Sequence, residues 1–119
     1  MMQIGELADR AGMSLRTIRH YDEVGLLVPT GRSEGGFRLY TEADFSRLMV
    51  IRRMKPLGFS LDEMAALLRV VDRLDVDADD QEARAELAAF VAQATERRTK
   101  LEQQLAMADE FVDLLRRRQ

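Results

Sequence analysis

Apolar residues recur at every third or fourth position over most of this chain, and the places where that rhythm breaks divide it into helices. Ile4, Leu7, Ala8 and Ala11 form a first stripe that stops at Gly12, a residue suited to the left-handed conformation that ends many helices. Ser14 is a good N-cap for a second helix. Its inward stripe is Leu15 and Ile18, extended by Tyr21 if that ring turns inward, and Gly25 closes it. The short Gly12-Met13-Ser14 link between the two suits a helix-turn-helix. Pro29 to Gly36 is then rich in Pro, Gly, Ser and charge, and Phe37-Arg38-Leu39-Tyr40 alternates with the period of a strand. Gly35-Gly36 can turn a hairpin, giving a small wing whose Phe37 and Leu39 are expected to pack onto the helices. Thr41 caps a third helix through Leu48, Ile51 and Met54, which Pro56 and Gly58 end. Ser60-Leu-Asp-Glu63 is a capping box opening a fourth helix, with Leu61, Met64, Ala65, Leu68 and Val71 on one face.

At Asp72 the composition shifts: Asp72, Asp75, Asp77, Asp79 and Asp80 crowd a short acidic linker. Beyond it Leu87, Val91, Ala94, Arg98, Leu101, Leu105, Ala108, Val112 and Leu115 are spaced alternately by four and three, the seam of a coiled coil. A helix from Glu82 to Arg116 is roughly 50 Å long at 1.5 Å per residue, too long to bury its stripe on so small a domain. A second copy of the chain is the expected cover. Arg98 interrupts the seam, either fixing register or snorkelling past Ala94. The predicted fold is mostly α: a winged helix-turn-helix domain over 1–71, the acidic linker over 72–81, a coiled-coil dimerisation helix over 82–117, and no separate effector domain.

Charge changes this picture only when read by halves. The 119-residue chain has a formal net charge of −3, which taken whole argues against nucleic acid. Up to Ser60, however, nine Lys and Arg face seven Asp and Glu, and the acidic excess lies entirely beyond that point. A module that neutralises a few phosphates needs a local basic face rather than a basic total. There are no cysteines, which removes disulfides, thiolate metal sites, iron–sulfur clusters and thiol chemistry together. No apolar run approaches the length of about 20 residues that crosses a bilayer, and the amino terminus lacks a signal-peptide layout, so a cytoplasmic location is expected.

The candidate chemistry is recognition rather than catalysis. Arg16, Thr17, Arg19 and His20 project from the second helix, where Arg can grip guanine O6 and N7 and Thr can touch a thymine methyl or a phosphate. Arg32, Arg38 and Tyr40 of the wing are placed to reach flanking phosphates, and Lys55 is a backbone contact at the end of the third helix. Tyr21 and Tyr40 stay open between core and phosphate contact. Asp75, Asp77, Asp79 and Glu86 fall at EF-hand positions one, three, five and twelve, but Asp80 stands where the loop needs glycine, so no metal is expected. One histidine, no cysteine and no phosphate-cradling glycine loop leave an enzyme reading, and any cofactor, without support.

Together, Ile4-Gly5-Glu6-Leu7-Ala8, Arg16-Thr17-Ile18-Arg19-His20-Tyr21-Asp22, Gly25-Leu26-Leu27, Gly36-Phe37-Arg38-Leu39-Tyr40, Leu57-Gly58-Phe59-Ser60-Leu61 and the long helix resemble the MerR family of bacterial transcription regulators. The resemblance covers most of the chain. It implies a DNA-binding winged helix followed by a helix that pairs antiparallel with its partner's. It further implies a homodimer on a pseudo-palindromic promoter site, distorting overlong spacer DNA between the −35 and −10 elements and so acting on RNA polymerase indirectly. Arg16, Thr17, Arg19 and Tyr21 then fall on recognition-helix contacts, Arg32 and Arg38 on wing contacts, and Lys55 on a backbone contact. Gln3 departs from the family pattern by replacing the usual Ser or Thr cap, and the cysteine-dependent sensing found in the family has no residues here. A small apolar effector between the fourth helix and the coiled coil, a protein partner, or no effector remain as options. Two rival readings stand beside this one: an excisionase-like architectural DNA-binding protein, and a coiled-coil ligand-binding or adaptor protein without DNA affinity. The long seam argues against the first, and the arginines of the second helix and wing against the second.

Overall fold

The computed structural model describes residues 1–119, which divide into two compact units, Met1–Arg69 and Val70–Gln119. In the first unit, β1 (Met2–Gln3) runs directly into α1 (Ile4–Ala11). Gln3 makes no side-chain cap, so α1 begins without the hydrogen bond a Ser or Thr would supply. At its other end Gly12 adopts φ 65° and donates its N–H to the carbonyls of Ala8 and Asp9. α2 (Leu15–Glu23) starts on Ser14, whose Oγ accepts the Thr17 N–H at 3.1 Å.

Two further strands, β2 (Gly31–Arg32) and β3 (Arg38–Tyr40), form the wing, and β3 sits at the centre of a three-stranded antiparallel sheet ordered β1-β3-β2. Gly36, at φ 81°, turns the hairpin, and Ser33 closes it by donating to the Phe37 carbonyl at 2.9 Å. The sequence gives little sign of β1: two residues show no alternation, and only pairing of Met2 with Tyr40 and Gln3 with Leu39 makes them a strand.

The wing packs with the opposite parity to the one expected. Tyr40 is wholly buried, Leu39 half-buried, and Phe37 is 64% exposed in the turn just ahead of β3. Side chains alternate with a period of two, so Tyr40 and Leu39 take opposite faces, and it is the Tyr40 ring that fills the core. Leu15, expected inward, is also exposed, leaving Ile18 and Tyr21 as the buried positions of α2.

Helix α3 (Glu42–Met54) opens on a reciprocal cap, with Thr41 Oγ1 accepting the Asp44 N–H at 3.1 Å and Asp44 Oδ2 accepting the Thr41 N–H at 2.9 Å. The same Asp44 oxygen accepts the Thr30 hydroxyl at 2.6 Å, so this buried carboxylate ties α3 to the segment entering the wing. A 3-10 turn at Lys55–Leu57 and Gly58, at φ 80°, end the helix as Pro56 demands. α4 (Leu61–Val76) follows with the predicted capping box, Ser60 and Glu63 exchanging hydrogen bonds at 3.1 and 2.9 Å. Leu7, Ile18, Leu27, Tyr40, Leu48 and Ile51 are the largest fully buried side chains of this unit.

In the second unit the acidic stretch is mostly helical. α4 continues to Val76 and α5 spans Gln81–Arg116, leaving only Asp77 to Asp80 between them where a linker over 72–81 was expected. Arg73 of α4 ties this turn to the start of α5: its guanidinium donates to Asp80 at 3.0 and 3.2 Å and lies 3.5 Å from both Glu82 and Glu86. Asp80 caps α5 by accepting the Ala83 N–H, and this bond, followed by Arg73, holds its carboxyl below the usual range. Val70 and Ala83 are buried, and Leu74, Ala78, Leu87, Ala88 and Val91 line an apolar groove of about 440 Å³. Beyond it α5 leaves Leu101, Leu105, Met107, Phe111, Val112, Leu114 and Leu115 exposed.

Replacing Asp44 with Ala keeps the backbone N–H that Thr41 Oγ1 accepts but removes the carboxylate half of the α3 cap, and it leaves the Thr41 N–H and the Thr30 hydroxyl without their acceptor. The expected loss is about 1–3 kcal/mol in urea denaturation of the full chain, with the slope of the transition unchanged.

Candidate nucleic-acid interface

Burial of Ile18 and Tyr21 fixes the rotation of α2, and residues offset from them by one or two positions must then face outward. Arg16, Arg19 and His20 are exposed accordingly, and Thr17 is half-buried. Thr17 is further held by its own helix, with Oγ1 2.8 Å from Ser14 Oγ, so its methyl group is the more available part for a base contact.

These residues do not stand alone. Arg16, Thr17, Arg19, His20 and Tyr21 line one open concavity of about 830 Å³ together with Lys55 from the turn after α3 and Phe59, Ser60, Leu61 and Met64 leading into α4. The side wall thus comes from the segment that Pro56 and Gly58 force to turn back towards α2. Glu23 also borders it, an acid on an otherwise basic rim. Sequence reasoning assigned Lys55 but missed Ser60 and Leu61, because nothing in the local pattern shows that the start of α4 lies beside α2.

The wing residues are absent from this concavity. Arg38 and Arg32 instead converge on Asp22, in the last turn of α2, with Arg38 Nε 2.7 Å and Arg32 Nη2 3.4 Å from the same oxygen. The Asp22 hydrogen bond raises the Arg38 pKa further above its ordinary value. Arg32 also donates to the Gly36 carbonyl at 3.3 Å.

Two tyrosines need correction as contacts. Tyr40 is wholly buried, its hydroxyl included, and burial is the main reason its pKa rises. It is a core residue, and reaching a phosphate would mean unpacking the sheet from the helices. Tyr21 is 3% exposed, so the body of its ring belongs to the core even though it borders the concavity. Of the acids placed at EF-hand spacing, Glu86 lies 3.5 Å from Arg73, and Asp77 Oδ1 accepts the Asp79 N–H at 3.0 Å. Arg98, the odd member of the seam, lies on the exposed surface of α5, 3.1 Å from Glu102 one turn on. No helix is long and apolar enough to cross a membrane.

Comparison with known proteins agrees with this arrangement. A family model described as MerR HTH family regulatory protein matches residues 2–70, and another described as MerR, DNA binding matches residues 45–117. An uncharacterized HTH-type transcriptional regulator of Pseudomonas aeruginosa is 40% identical over 115 residues, covering 96% of this chain and 83% of that protein. The transcriptional activator TipA of Streptomyces coelicolor is 52% identical over 65 residues, 55% of this chain, and the chain spans about a quarter (26%) of the length of TipA. Among solved structures, HiNmlR, a MerR family regulator lacking the sensor domain, bound to promoter DNA, superposes with a TM-score of 0.65 at 28% identity, covering 95% of this chain and 82% of that one. With two family models meeting across the winged domain and the long helix, the chain belongs to the MerR family of helix-turn-helix regulatory proteins.

Proposed function

We propose that this protein is a transcription regulator that binds a pseudo-palindromic promoter site as a homodimer and acts by distorting the spacer DNA, reaching RNA polymerase only through that distortion. The observation that carries it is the outward face of α2, where Arg16, Arg19 and His20 share one concave surface with Lys55. A helix presented in this way fits the major groove, while Arg32 and Arg38 of the wing lie where flanking phosphates would be gripped.

The dimer follows from α5. Its exposed Val91, Leu101, Leu105, Val112 and Leu115 continue the seam that begins at Leu87, with Ala94 and Ala108 as the small positions between them. Charge favours an antiparallel pair. Asp77, Asp79, Asp80, Glu82 and Glu86 crowd the start of α5 and Arg116, Arg117 and Arg118 its end, so opposed helices match opposite signs, whereas parallel ones stack like on like. Centred on Leu101, that arrangement sets Leu87 against Leu115 of the partner subunit. The α4–α5 groove is the natural seat for a small apolar effector, and its lining contains no group for metal or thiol chemistry. An architectural role fits less well, since bending DNA alone does not require so long a pairing helix.

Leu101→Asp places a charge at the centre of the seam and should leave a monomer in sedimentation velocity, with DNA binding weakened at the same time. A dimer surviving that change removes the seam assignment. Because the chain has no cysteine, Leu87→Cys with Leu115→Cys should give a covalent dimer on mild oxidation while either single variant does not; cross-linking by a single variant means a parallel pair. For the readout, Arg19→Ala should cost about 1–3 kcal/mol and relax preference at one base position, measured by titration against single-base variants of the bound duplex. Lys55→Ala should weaken all sequences alike and lessen the slope of log K against log salt by roughly one.

A further inference from the structure

Asp22, beside the recognition surface, is an acid that works against DNA binding and yet is firmly built in. Its side chain is only 13% exposed and lies in the last turn of α2, the end of a helix where the carbonyl dipoles disfavour an anion. Neither a cap nor helix propensity asks for an acid there. The wing supplies the reason: Arg38 spends Nε and Arg32 one terminal nitrogen on the same Asp22 oxygen. An arginine has five donors in a fixed fork, so a partner on Nε settles the plane of the guanidinium while Nη1 and Nη2 of Arg38 stay available for a phosphate.

The geometry points to Asp22 as a positioning residue for DNA recognition: it locks the two wing guanidinia to the recognition helix, so that phosphate grip and base readout engage in one register, at the expense of raw affinity. Without it, Arg38 would be a free-swinging cation and Arg32 would keep only the Gly36 carbonyl, leaving both able to neutralise phosphates on any sequence. With it, they bind a phosphate well only when α2 is seated in the groove. The inference rests on the proposed DNA-binding function and adds a source of discrimination that touches no base.

The test compares the 119-residue chain with Asp22→Asn, Asp22→Glu and Glu34→Gln on two probes: the duplex most enriched by the wild-type chain from a random pool, and a scrambled duplex of the same composition. Asp22→Asn should bind the scrambled duplex more tightly, with the salt slope steeper by about one to two phosphates, while the ratio between the two duplexes falls roughly tenfold, the scale of one lost specific contact. Glu34→Gln removes one negative charge from the exposed turn of the wing without releasing an arginine, and should tighten both duplexes equally and leave the ratio intact. Asp22→Glu keeps the charge but moves the carboxylate by one methylene, so the ratio should fall without the gain in affinity; it carries the test if the Asn variant does not melt cooperatively. Asp22→Asn and Glu34→Gln behaving alike would overturn the inference, reducing Asp22 to one more negative charge near DNA, as would an Asp22→Glu chain with unchanged discrimination. A wild-type chain that binds no duplex at all removes the underlying function, and the inference with it.

Discussion

Burial of Ile18 and Tyr21 is the constraint on which the recognition surface depends. Three residues apart on a nine-residue helix, they leave α2 a single rotation about its own axis, and that rotation turns Arg16, Arg19 and His20 out together. The rest of the first unit holds the frame. Tyr40 fills the core beneath the wing, the Asp44 cap joins α3 to the wing's entrance, and the turn through Pro56 and Gly58 brings Lys55 onto the rim beside α2. Function here lies in orientation: none of the charged groups is unusual by itself, and their value comes from being held on one concave face.

The second unit obeys a different rule. A 36-residue helix with apolar side chains along its exposed length has few neighbours of its own chain to bury them against. Each leucine that a second helix would cover contributes about 1.5–3 kcal/mol, and several at seam spacing suffice to hold two chains together. In the proposed dimer, two α2 helices at a fixed separation would measure the distance between half-sites, the way a small protein acquires long specificity from few base contacts. The Arg73 clasp on Asp80, Glu82 and Glu86 keeps the start of that helix from fraying.

Much of this was legible in the residues. Gly12, Ser14, Thr41, Pro56, Gly58 and the Ser60–Glu63 box mark helix boundaries by local chemistry, and the structure places those boundaries within a residue or so. What escaped depends on contacts distant in sequence. β1 exists only because Met2 and Gln3 lie beside β3, the inward place in the wing goes to Tyr40 rather than Phe37, and the α4–α5 turn is closed by Arg73 reaching Asp80, seven residues on. Asp22 was passed over for a similar reason: its arginine partners stand ten and sixteen residues away on the wing. An acid at the wrong end of a helix dipole was the available clue. Lys55 and the α2 arginines share a surface, as their charges hinted, but only the structure shows the start of α4 closing its side.

Selection of bound sequences from a random duplex pool, at two salt concentrations and with the purified chain, tests the central claim most directly. The account predicts an enriched inverted repeat with a fixed centre that persists as salt rises and total binding falls. Salt-sensitive binding without enrichment at either concentration would contradict it, because the α2 face would then be gripping phosphates without reading bases.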